Sequence, residues 1–204
     1  MNPYLIVIAI VIWLATLTFF YRNQIWLPYY LVGAIGCAFG VIYLGQSTIP
    51  IESPLEGLIA AQIDFLCRLI GIPTRLFEGA PGFLVVLVVS QPIGWTSVQI
   101  TIECSGLLES AVLVGMLGFY PGWSLPRKLR LGLVGLLLTQ LANLVRLLFI
   151  VATLHFLGKD ALFIAHTIVG RLVFFAAIVL IYWHVLTAPT LSTIRTKLQR
   201  ELMA

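Results

Sequence analysis

From Pro3 to Tyr21 no side chain is charged, and the run approaches the ~20 apolar residues that an α-helix needs to cross a bilayer. Such a segment restricts the fold severely. In hydrocarbon every backbone N–H and C=O must be paired within the protein, so only helices and closed barrels span. Four further stretches read the same way: Leu27 to about Leu44, Ser105 to about Tyr120, Leu131 to Leu157, and Ala161 to Leu186. Charged residues make up 10% of the chain, against about a quarter in soluble domains, and mean hydropathy is +1.05. The expected fold class is an all-α polytopic membrane protein of about five transmembrane helices, organised as a single integral membrane domain. No basic residue lies near Met1, so a cleaved signal peptide lacks its n-region and the first run is expected to be retained as a helix.

Residues 45 to 104 break this pattern. Ser53-Pro54-Leu55-Glu56 reads as a helix start, with Ser53 as N-cap, Pro54 at the first helical position and Glu56 closing a capping box. Leu55, Leu58, Ile59, Ile63, Leu66 and Ile70 follow at helical spacing, interrupted by Glu56, Asp64 and Arg68. This predicts an amphipathic helix lying in the interface, with a short sixth span as the competing reading. The β-branched run Phe83 to Val89, the turn chemistry of Ser90-Gln91-Pro92-Ile93-Gly94 and the alternating Val98 to Glu103 predict an extracytoplasmic β-hairpin that delivers Cys104 to the third span.

Basic residues near helix ends mark the cytoplasmic side. Arg22, the group Arg127, Lys128 and Arg130, and the tail residues Arg195, Lys197 and Arg200 agree on one orientation: N-terminus outside, C-terminus inside. The organisation is then two N-terminal spans (1–44), an extracytoplasmic segment (45–104), a three-helix core (105–186) and a cytoplasmic basic tail (187–204). The net charge of +4 lies in membrane-flanking clusters and does not point to nucleic acid. The expected location is the plasma or inner membrane.

With this topology three reactive side chains converge in depth beneath the extracytoplasmic face. Cys104 lies at the outer start of the third span. Arg146 is 15 residues beyond Leu131, or about 22 Å along a helix of 1.5 Å rise. His166 lies about one and a half turns below the outer end of the fifth span. A thiol, a guanidinium and an imidazole are what cysteine-based acyl transfer uses as nucleophile, anion stabiliser and acid/base.

Each residue also has a plainer reading: a buried thiol, a structural ion pair with Glu103 or Glu109, a packing histidine. Cys104 stands apart from Cys37 and Cys67 because Glu103 precedes it, Ser105 and Gly106 follow, and peptide N–H groups at a helix start stabilise a thiolate. The three cysteines offer no metal-ligand spacing. Asn143 shares a helix face with Arg146, and Gly170 leaves space beside His166. His155 and His184 are the competing histidines, near the outer end of the fourth span and the inner end of the fifth. Arg171, deeper than His166, either assists the site or pairs structurally.

Glu103-Cys104-Ser105-Gly106, Asn143-Leu144-Val145-Arg146 and His166 with Gly170 resemble the three motifs of the exosortase/archaeosortase family, over roughly residues 95 to 185. The resemblance implies a polytopic cysteine transpeptidase, or thiol protease, that processes C-terminal sorting signals made of a short motif, a transmembrane helix and a basic tail. It implies Cys104 as nucleophile, Arg146 as stabiliser and His166 as acid/base, with transfer to an amine, glycan or lipid acceptor. No metal or organic cofactor is implied. Proteolysis with water as acceptor is one alternative. A non-catalytic scaffold or transporter subunit, with Arg146, Glu103 and His166 as a structural network, is the other.

Overall fold

A computed structural model describes residues 3–47, 52–78, 83–89, 94–100, 104–161 and 163–203. The expected turn at 90–93 and Glu103 lie outside the described residues.

The uncharged N-terminal runs form α1 (Pro3–Arg22) and α2 (Trp26–Ser47), an antiparallel pair pinned by Trp13 Nε1 donating to the Val32 carbonyl at 2.9 Å. After α3 (Glu52–Leu69) come β1 (Thr74–Glu78), β2 (Phe83–Val89) and β3 (Gly94–Ile100), then α4 (Leu107–Phe119) and α5 (Leu125–Leu157). A 3-10 turn at Lys159–Ala161 and a π-helical turn at Phe163–Val169 lead into α6 (Gly170–Tyr182). A second π-helical turn, Trp183–Thr187, passes into α7 (Ala188–Met203). Four stretches are long and apolar enough to cross a membrane: Tyr4–Arg22, Trp26–Tyr43, Leu125–Leu157 and Thr167–Thr196; α4 is a shorter apolar helix. The chain is a multi-pass, mostly helical membrane protein.

Several expectations need correction. The hairpin is a three-stranded antiparallel sheet, order β1-β2-β3, with Thr74 opposite Leu87 and Val85 opposite Val98. The sequence hides β1 because Phe77, 52% exposed, points away from the core where alternation would put a polar residue. β3 starts at Gly94, ahead of Val98, and leaves Trp95 exposed. α3 starts at Glu52, ahead of the expected cap. α5 starts at Leu125 rather than Leu131: Ser124 takes extended backbone at the N-cap and Pro126 fits the first turn. Arg127, Lys128 and Arg130 therefore ride on that helix and are not in a loop. The basic tail is helical as α7.

α5 is the central element. Gly135, Thr139, Asn143, Leu147, Val151 and Leu154 are buried along one stripe at helical spacing. Toward its C-terminal end, Ile150, Val151 and Leu154 pack with Ile59 and Ile63 of α3 and with Val85, Val98 and Ile100 of the sheet. Toward its N-terminal end, a second cluster joins Leu113 and Leu117 of α4 to Ile181 and Val185. α3 buries Glu56 and Asp64 beside the apolar residues of its inner face and keeps further apolar residues on its outer face. Asp64 is buried, accepts from Thr74 Oγ1 at 2.6 Å and pairs with Arg68 at 2.8 Å, while Leu58, Phe65 and Leu69 are exposed. An apolar outer face suits a helix that meets lipid.

α2 and α4 pack without intervening side chains at Gly115, where an added Cβ would stand 2.5 Å from the Ala34 carbonyl oxygen. Small residues allow such approach between helices in lipid. Gly115→Val should destabilise the protein by about 1–3 kcal/mol through overpacking. Gly118→Ala, with nothing within 4 Å of its added Cβ, should be neutral or slightly stabilising. Thermal unfolding of both variants in detergent checks the contrast.

Candidate active site

α5 supplies two of the candidate side chains. Asn143 and Arg146 are three residues apart, so they project about 60° from each other, on adjoining sides of the helix. Asn143 is fully buried, and its Nδ2 donates to the backbone carbonyl of Cys104 at 2.7 Å. Its Oδ1 has no hydrogen-bond partner among the described residues. Beyond Cys104 the chain turns. Ser105 Oγ accepts from the Leu107 N–H at 3.2 Å, and Gly106 caps α4 at φ 71° with no side-chain cap bond. A residue bearing a Cβ would be strained by about 1–2 kcal/mol in that left-handed conformation. Asn143 thus fixes where the turn carrying Cys104 sits.

Cys104 and Arg146 face one cavity of ≈ 420 Å³, lined also by Leu108, Glu109, Ile150, Arg171, Phe174, Phe175 and Ile178. Arg146 lies over the ring of buried Phe174, with Cζ 4.4 Å from the centroid, a cation–π contact of about 0.5–2 kcal/mol. Arg171, the second residue of α6, faces the same space. Among the described residues two guanidiniums and the carboxylate of Glu109 line the cavity, and a guanidinium there can stabilise an anion forming inside it. Below the cavity, Tyr182 Oη donates to the Glu109 carbonyl at 2.8 Å and ties α6 to α4. Phe175 is 67% exposed, so the cavity wall meets the surface there.

The 13 residues of α4 rise about 20 Å, short of a ~30 Å hydrocarbon layer.

His166 sits on the π-helical turn Phe163–Val169, five residues before Arg171; the structure describes its backbone. π-turns inside helices are frequent at functional sites. Gly170 is buried at the start of α6. His184 Nδ1 bonds the Leu180 carbonyl at 2.8 Å near the basic end, and the His155 ring lies edge-on against Phe156. Cys67 packs in the core beneath the sheet. Burial first, and then the Asp64 carboxylate, push its thiol up to about 11.

Sequence alone leaves Arg171 between two roles and offers Glu109 only as a structural partner, yet both face the cavity with Cys104. The signal was present: an arginine in an apolar run is a functional candidate by default.

The family model described as "Transmembrane exosortase" matches residues 2–183. Neither a curated protein nor a solved structure matches the chain.

Asn143→Leu should release the Cys104 carbonyl and cost about 1–3 kcal/mol, the range for a buried group left unpaired. The checks are a lower Tm and faster alkylation of Cys104. Cys67 should stay inert near neutral pH. Raising a thiol pKa favours the protonated form, so about 0.1% is thiolate at pH 8 and reactivity climbs roughly tenfold per pH unit toward pH 11. Mass-spectrometric mapping of alkylated cysteines against pH tests this.

Proposed function

This chain belongs to the transmembrane exosortase family, and we propose that it is a membrane-embedded cysteine transpeptidase acting on C-terminal sorting signals. The family is one of polytopic membrane enzymes of the cysteine peptidase/transpeptidase kind. The finer reading assigns Cys104 as nucleophile, Arg146 as oxyanion stabiliser and His166 as acid/base. The observation that carries it is the single cavity onto which Cys104, at the start of α4, and Arg146, from the middle of α5, both open.

The Cys104 thiolate attacks the scissile carbonyl carbon, forming a C–S bond while the carbonyl electrons move to oxygen. Arg146 holds that oxyanion, and its stack on Phe174 keeps the guanidinium in place. Collapse of the adduct breaks the C–N bond, and the leaving amine takes its proton from His166. An acceptor then attacks the thioester, giving its proton to the imidazole and restoring the thiolate. Arg171 adds a second positive charge to the cavity. Asn143 is a positioning residue that acts through the Cys104 carbonyl.

A substrate held by its own transmembrane helix reaches the cavity from the lipid side, past Phe175, and the shared membrane supplies much of the positioning. In this reading the N-terminus and the sheet are extracytoplasmic, and α7 with its cations is cytoplasmic. The sheet and α3 cover the outer side of the core.

The test is reconstitution with a substrate ending in a short motif, a transmembrane helix and a basic tail. Cys104→Ala should abolish processing, and Arg146→Ala should slow it about 10²–10³-fold, as loss of an oxyanion donor does. His166→Ala should flatten the pH profile. A new C-terminus heavier by the acceptor's mass marks transfer, and one bearing only water marks proteolysis. Processing that survives Cys104→Ala refutes the assignment. If Cys104→Ser is silent while Arg146→Ala lowers Tm, the polar groups are a structural network.

A further inference from the structure

The opposite end of the bundle holds a second cavity, of ≈ 390 Å³, lined by Pro126, Arg127, Arg130, Leu131 and Pro189. The cations on the first turns of α5 do three different things. Lys128 Nζ donates to the Gly118 carbonyl at 2.6 Å and so satisfies an orphan carbonyl at the end of α4. Arg127 is clamped: it donates to Thr193 Oγ1 at 3.2 Å and to the Pro189 carbonyl at 3.3 Å, and its Cζ lies 4.8 Å from the Trp123 ring centroid. Those partners are neutral, so its charge is oriented but not cancelled. Arg130 is exposed on the cavity wall, and among the described residues no carboxylate pairs with either arginine.

The cavity also adjoins an apolar, lipid-compatible stretch of helix. The apolar span continues from Thr167 to Thr196, past Pro189, and Leu191 and Ile194 on α7 are exposed. A space with two unneutralised guanidiniums, one of them immobilised, and apolar walls of proline and leucine fits a phosphodiester attached to acyl chains. A zwitterionic head group would add a cation beside two others.

We propose that the cleft between the first turns of α5 and the start of α7 binds the phosphodiester of an anionic glycerophospholipid from the adjoining leaflet, with Arg130 as its main ligand. Arg127 presents fixed positive charge beside it, and Pro126, Leu131 and Pro189 meet the glycerol and upper acyl chain. The bound lipid bridges α5 and α7 and steadies the second π-helical turn. Basic pockets between transmembrane helices recognise anionic head groups in this manner. The proposal does not depend on the role given to Cys104.

The experiment uses the full chain in detergent, with phosphatidylglycerol, phosphatidylcholine or inorganic phosphate added, and counts retained lipids by native mass spectrometry. Wild type should retain phosphatidylglycerol in preference to phosphatidylcholine. Arg130→Gln should reduce that retention about tenfold, the loss expected for one charge-assisted contact. Arg195→Gln, an exposed cation on α7 outside the cleft, should leave it unchanged. Equal retention of the two lipids by wild type overturns the proposal, and this comparison stands even where a variant fails to fold. So does equal loss in both variants, which would mean diffuse surface charge. Inorganic phosphate displacing the lipid at millimolar concentration would mean a free-anion site and also overturns it.

Discussion

The hydrogen bond from Asn143 Nδ2 to the Cys104 carbonyl joins the two halves of the molecule. Cys104 ends a connection from a small sheet, and α4 begins three residues later. Gly106 gives that turn its left-handed conformation, and Ser105 Oγ accepts from the Leu107 N–H within it. Asn143 takes hold of it from the middle of the longest helix. The neighbouring turn of that helix carries Arg146, so one element sets both the depth of the thiol and the place of the guanidinium. A neutral amide does this at little desolvation cost compared with an ion pair.

Around this junction the protein obeys the rules of lipid, not of water. Apolar side chains face outward from α1, α2, α5 and α6, and polar groups are retained inside: Thr139, Asn143, Glu56, Asp64. α3 likewise keeps Asp64 inside, satisfied by Thr74 and Arg68, behind an exposed apolar face. Close packing then relies on small residues, as at Gly115 against α2, since burying a leucine against another helix gains little where the surroundings are already apolar. The two cavities lie at opposite ends of the α5–α6 pair and are held apart by the Leu113, Leu117, Ile181 and Val185 cluster.

Much of this was written in the chain. Uncharged runs of the length of a bilayer specify helices, because lipid leaves the backbone no other way to pair its polar groups, and the all-α polytopic class and the family follow from residues that can be quoted in order. Boundaries were less legible. Pro126 lets α5 start six residues earlier, at Leu125, and the outward Phe77 conceals β1, since both depend on local backbone pairing that hydropathy does not register. What sequence could not decide was lateral placement. It put Cys104, Arg146 and His166 at one depth, but residues at one depth can lie on opposite sides of a bundle. Only the packing of α4 and α6 against particular faces of α5 turned Cys104, Arg146, Arg171 and Glu109 toward one space, because those faces are chosen by complementary shape among many side chains and not by any single run of residues.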